Sequence, residues 1–276
     1  MTEARNARAD ADGGWKDIIE EFTEEFFDFY FPTVHREVDF SGEITFLDKE
    51  LQQIVPESES GRREADKLIQ VQLKNGQSQW LLVHVEIQGY PDPDFARRMF
   101  IYHYRIWDRY NRDVINLAVL TDNDPAFRPS IYRKSLLGCE NTFRFPMVKL
   151  IDYDPDLLAG SNKTFALVTR IHLAHLEAGT QPQKRYAARL ALTRQLYRCG
   201  FDRKRVVRLY RFMGFLMRLP DDLAVKYRKE LESIEGELNM PYITDTERLA
   251  KDEGRKEGRQ EGRNEGRKEG RQEGRN

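Results

Sequence analysis

The chain has 276 residues, 39% of them apolar and 33% charged, with a formal net charge of −1. That length and apolar share suffice for one large core or two modest ones. Two cysteines, with no CxxC and no Cys/His pairing at zinc spacing, indicate neither a disulfide framework nor a structural zinc site. No run is long and apolar enough to span a bilayer, and the first residues carry no apolar leader, so a soluble cytoplasmic protein is expected.

The near-zero net charge conceals an asymmetry. Residues 1–60 hold sixteen Asp/Glu against five Lys/Arg, whereas residues 183–219 hold eleven Lys/Arg against the single acid Asp202. In chain order, Trp15, Ile18, Ile19, Phe22, Phe26 and Phe29 recur at helical spacing, and Pro32 is expected to end that first amphipathic helix. Its acids Glu20, Glu21, Glu24, Glu25 and Asp28 read as a solvated face from which one flank glutamate can reach a site. EITFLDKEL reads as a short extended piece and a turn of helix, and VPESESGRRE as a loop.

DKLIQVQLK and SQWLLVHVEIQ, joined around Asn75-Gly76, form the best hairpin signal in the chain. A two-residue turn would set Asp66 opposite Val85 and put the apolar sets of the two strands on opposite faces. A three-residue loop, Lys74-Asn75-Gly76 with Gly76 left-handed, sets Ile69 opposite Leu81 instead. Ile69, Val71, Leu73, Leu81, Val83, Val85 and Ile87 then share one face, and Asp66, His84, Glu86 and Gln88 the other. This register is the one predicted.

The spacing next predicts a helix through FARRMFIYHYRIWDRY, with Phe95, Met99, Tyr102, His103, Ile106, Trp107 and Tyr110 on or near its packing stripe and Arg98, Tyr102, Arg105 and Arg109 on a basic one. VINLAVLT is the continuous apolar run of a strand buried on both faces. The order helix, strands, hairpin, helix, buried strand predicts an α/β sandwich around a mixed sheet over residues 15–155. A helical region follows over 156–250, with Gly200 as a C-cap and Pro220 as a stop. The last 24 residues are six copies of Glu-Gly-Arg plus Lys, Gln or Asn. This 251–276 tail has no apolar residue after Ala250 and one Gly in four, each costing about 1 kcal/mol in a helix, so disorder is expected.

Two carboxylates, Asp66 and Glu86, aimed at one point from neighbouring strands repel each other unless a cation lies between them. Hard oxygen ligands suit Mg2+ or Mn2+. On spacing alone, ordinary exposed strand residues are the better explanation of the pair. The arrangement Asp66, hairpin, Glu86-Ile87-Gln88 nevertheless resembles the catalytic core of the PD-(D/E)xK nuclease superfamily, with glutamine in the place of its lysine. Together with FLDKEL (46–51), ADKLIQV (65–71), HVEIQ (84–88), the helix 95–110 and INLAVLTD (115–122), it is similar to the Rpn-type recombination-promoting nucleases, often labelled transposases. The repeat tail is a common appendage in that group.

The resemblance implies a restriction-endonuclease-like core (αβββαβ), a metal-dependent endodeoxyribonuclease activity on DNA, and Asp66 and Glu86 as metal ligands with the Ile87 carbonyl as a further one. Gln88 would take the catalytic lysine's position. It can orient water or a phosphate oxygen but carries no charge, so Arg97 and Arg98 are candidates to supply it. An acid from the first helix, Glu21 or Glu25, is a further expectation, and His84 reads as a general base or a satisfied histidine. Arg203, Lys204 and Arg205 offer an electrostatic footprint for nucleic acid, weighed against a solvated helix face. The rivals are a DNA-binding or assembly module of the same fold that has lost turnover, and an enzyme active only within a recombination or transposition complex. Homo-oligomerisation is left open by the sequence.

Overall fold

The computed structural model describes residues 13–54, 67–86 and 92–244. Helix α1 (13–21) and helix α2 (Thr23–Tyr30) follow one apolar periodicity, broken where Phe22 leaves helical geometry at φ −130°, ψ 48°. Pro32 does not simply end this segment. It opens α3 (Pro32–Glu37) as its first residue, where a missing N–H costs nothing.

Next come β1 (Thr45–Phe46), α4 (Asp48–Ile54), β2 (Lys67–Gln72), β3 (Ser78–Glu86), α5 (Phe95–Tyr110) and β4 (Val114–Leu120). After these lie a separate hairpin, β5 (Ile131–Leu136) and β6 (Cys139–Arg144), and then β7 (Met147–Lys149). The main sheet runs β1-β2-β3-β4-β7. Its first three strands are antiparallel, and β3, β4 and β7 are parallel, so their C-termini share one end of the sheet. The chain is thus a mixed α/β protein around a five-stranded mixed sheet.

Helices α6 (Pro155–Ala159), α7 (Thr164–Ala178), α8 (Pro182–Arg198), α9 (Arg203–Leu216) and α10 (Asp221–Leu238) follow. Gly200 follows α8 at φ +70°, the left-handed geometry that ends helices. α7 is buried on nearly every side of its first half, from Phe165 to His172, as a central bundle helix must be.

Alternation in the strands explains the layers. Ile69, Val71, Leu81, Leu117 and Val119 join Phe22, Phe26, Phe165 and Val206 in the largest core, so α1, α2, α7 and α9 cover one face. Leu68 and Trp80 pack against Tyr102 and Ile106, while Ala118 and Leu120 pack against Phe95 and Met99, so α5 covers the other face. The core is continuous across residue 155. Trp107, expected on or near the packing stripe, is half exposed at 51%, because α5 buries only Phe95, Met99, Tyr102 and Ile106. Among the described residues no helix is long and apolar enough to cross a membrane. The repeat tail lies outside the described residues.

Candidate active site

The β2–β3 hairpin has the register that the three-residue loop requires. Lys67 stands opposite Val83, Ile69 opposite Leu81 and Gln72 opposite Ser78. Leu73 N–H donates to Gln77 O at 2.7 Å, and Gly76 adopts φ +84°. A side chain at Gly76 would be strained in that conformation, which is why glycine occupies it. At the far end, Glu86 is the last residue of β3 and its backbone stands opposite Leu120 of β4. Asp66, Ile87 and Gln88 lie outside the described residues, and His84 and Glu86 are described in their backbone alone.

Next to that end of β2, α1 crosses the hairpin. Lys67 follows Asp66 in the chain; its side chain is only 3% exposed, with Nζ donating to Glu20 Oε2 at 2.8 Å and lying 5.1 Å from the Phe46 ring centre. A buried ammonium must be paired, and Glu20 is one carboxylate that does so. The first-helix acid in contact with the start of β2 is therefore Glu20, which sequence reading placed among solvated acids, whereas Glu21 and Glu25 had been named as candidates. An open cavity of about 450 Å³ adjoins it, lined by Asp17, Glu20, Glu21, Phe46 and Arg208.

Glu21 and Glu25 face the basic helix α9. Lys204 and Arg208 both pair with Glu21, Arg208 at 3.1 Å, and Arg205 pairs with Glu25 at 2.8 Å while packing on the rings of Phe22 and Phe201. Arg203 is exposed at the first position of α9. The two halves of the charge asymmetry thus meet inside the molecule. Their opposite signs were visible in the sequence, but nothing in it showed that α1–α2 and α9 are neighbours.

On the α5 side, Arg98 pairs with Asp92 and lies over Phe95 at 5.7 Å, and Arg97 is exposed. His103 Nδ1 and Asn116 Oδ1 are 2.9 Å apart. At the shared C-terminal end of β3, β4 and β7, Lys149 stands opposite Leu120, which also stands opposite Glu86. Lys149 Nζ donates to both Asp122 oxygens, at 2.7 and 2.8 Å, and to Phe127 O at 3.0 Å. Both partners are sealed, at 0% and 1% side-chain exposure. Hydrophobic periodicity carries no signal for a buried ion pair, so nothing in the sequence marked Asp122 and Lys149 as partners. His172 of α7 reaches the same end, its Nε2 3.1 Å from Thr121 O, and burial depresses its pKa to about 3.

Residues 25–118, from α2 into β4, match the family model described as "Putative transposase, YhgA-like", which belongs to the PD-(D/E)xK Rpn-like group. Neither curated proteins nor solved structures gave a match.

Proposed function

We propose that this chain is a divalent-metal-dependent DNA endonuclease with a restriction-endonuclease-like core, acting in recombination or transposition in the cytoplasm. The observation that carries the reading is the hairpin register. It puts Lys67, the neighbour of Asp66, opposite Val83, with Glu86 three residues further on at the end of β3, inside the segment that the family model matches. The element order α1–α2, β1, β2, β3, α5, β4 supports the same core.

Asp66 and Glu86, with the Ile87 carbonyl, form a hard-oxygen donor set, and that chemistry fits Mg2+ or Mn2+. The bound ion would supply Lewis-acid polarisation of the scissile phosphate and a nucleophile at neutral pH. Gln88 orients a phosphate oxygen or the attacking water by hydrogen bonding, without offsetting developing charge. Arg97 is the exposed cation of α5 offered for that task. Arg98, held by Asp92, needs its ion pair to open first.

The test is plasmid nicking with Mg2+ or Mn2+ by the wild type beside Asp66→Ala and Glu86→Ala. Nicking lost in both variants, with DNA affinity retained, is the expected result. Equal nicking by all three would sink the assignment. The neutral Gln88 favours one second reading, a DNA-binding or assembly module without turnover, and DNA binding with no nicking by the wild type would establish it.

A further inference from the structure

The β5–β6 hairpin is not part of the main sheet. Its base is anchored on α5, where Tyr132 stacks on Phe100 at 5.0 Å and 19° and Phe143 lies 4.8 Å from the His103 ring. Beyond that base every residue from 133 to 142 is exposed, so the distal ribbon stands in solvent on both faces. An isolated two-stranded ribbon is marginal in water, which raises the question of what it meets.

Its tip is unusual in two ways. The two central residues of the turn, Leu137 and Gly138, have φ +49° and +84°, the pattern of a two-residue turn matched to strand twist. Asparagine is the favoured first residue there, and a branched leucine in that conformation is strained. Leu137 is also 99% exposed and its neighbour Leu136 65% exposed. A residue unfavourable both for backbone geometry and for hydration points to a role outside folding.

The charges are equally arranged. Lys134, opposite Asn141, shares a ribbon face with the Tyr132–Phe143 pair, whereas Arg133 and Arg144, opposite Thr142 and Ile131, share the other. The single acid of the ribbon, Glu140, lies 3.6 Å from Arg133 in an exposed pair of little strength.

We propose that this ribbon is an arm that enters the major groove of duplex DNA tip-first. A ribbon with side chains is about 10 Å thick, and the groove is about 12 Å wide and 8.5 Å deep. At about 3.3 Å per residue, that depth takes in Lys134 to Leu137. Each face then looks at one phosphate wall, with Lys134 on one side and Arg133 at the rim on the other, while Arg144 lies further up the ribbon and adds to the positive field, and Leu137 meets base edges such as thymine methyls. A second copy of the chain is the weaker occupant. Self-pairing would set cations against cations, and two leucines fall far short of the roughly 800 Å² per partner of a stable interface.

The inference rests on the nuclease reading only for its choice of DNA, and its test runs without hydrolysis. In EDTA, anisotropy of a labelled DNA duplex is titrated with the wild type, with the triple variant Arg133→Ala/Lys134→Ala/Arg144→Ala, and with Leu137→Asn. The triple variant is expected to bind at least tenfold more weakly, with the slope of log K against log salt reduced by about 1.8, from 0.9 for each of the two phosphates that Lys134 and Arg133 meet. Leu137→Asn, which relieves the turn, is expected to keep or raise the melting temperature and still weaken binding severalfold. Affinity unchanged within twofold in both variants overturns the arm. So does equal affinity for an RNA duplex, whose major groove is too narrow, or a halved solution mass of the triple variant with DNA binding intact. Nicking that survives in arm variants of unchanged affinity removes the arm alone, whereas arm-dependent binding by a wild type that never nicks removes the nuclease reading alone.

Discussion

Replacing Lys149 by methionine tests how the shared C-terminal end of β3, β4 and β7 is held. Lys149 and Asp122 are sealed from solvent, and the ammonium donates to both carboxylate oxygens and to Phe127 O. Lys149→Met leaves the Asp122 carboxylate buried with the Asp124 N–H, at 2.9 Å, as its remaining donor among the described residues. Breaking a buried pair in this way costs about 3–5 kcal/mol. For a folded unit of this size each kcal/mol moves the midpoint by about 2–4 °C, so a fall of about 6–20 °C is expected. Removing both charges in Lys149→Met/Asp122→Leu should restore most of it, with about 1–2 kcal/mol still missing for the unpaired Asp124 N–H and Phe127 carbonyl. Urea unfolding followed by tryptophan fluorescence reads both, since Trp15 is fully buried in the main core. A single variant costing under about 1 kcal/mol, or a double variant as unstable as the single one, would refute the reasoning.

His172 has its folded pKa depressed to about 3 from the usual 6.5 by burial, so the unfolded chain takes up the proton first and stability falls as pH drops from about 6.5 toward 3. His172→Gln should flatten that slope in urea titrations between pH 7.5 and 4.5, and an identical slope would count against it. Glu235 is buried and accepts from Tyr197 Oη, Ile243 N at 2.6 Å, and Thr244 N at 3.1 Å. Glu235→Ala should cost about 3 kcal/mol or more and raise proteolysis near residue 243, whereas an unchanged digestion pattern would show that these bonds do not hold the segment. Glu20→Ala removes the carboxylate that accepts from the buried Lys67 Nζ at 2.8 Å and should cost about 1 kcal/mol more than Glu24→Ala, whose partner His35 is 3.6 Å away. Equal midpoints for the two variants would contradict that difference.

The parts of this fold legible in the sequence are those set by local periodicity. The three-residue loop followed from requiring Ile69, Val71 and Leu81 to share a face, and the double burial of β4 from its unbroken apolar run. The helices after residue 155 likewise followed from stripe spacing and from Gly200 and Pro220. The β5–β6 ribbon escaped notice because its turn pair is Leu-Gly rather than Asn-Gly and its distal residues have no buried face to impose alternation. Ion pairs escaped it for a different reason. Lys67 with Glu20 and Lys149 with Asp122 join residues 47 and 27 positions apart, and no local pattern encodes such a meeting.

That second class of miss changes where a polyanion can dock. The run from Arg203 to Arg211 looked like the strongest positive field in the chain, yet Lys204, Arg205 and Arg208 already have carboxylate partners on α1 and α2. A phosphate arriving there must compete with Glu21 and Glu25 and leave them unpaired, so much of the electrostatic gain is cancelled. On the opposite side of the molecule the competition among the described residues is weaker. Arg133, Lys134 and Arg144 share one ribbon with a single acid, and on α5 Arg97, Phe100, Tyr104 and Trp107 fall within one side of the helix by their spacing, with Tyr104 and Trp107 about half exposed. Cations interleaved with accessible aromatic rings suit both phosphate and base contact. Local charge density read from sequence counts cations without the anions that the fold brings to them, as Glu21 and Glu25 are brought to α9.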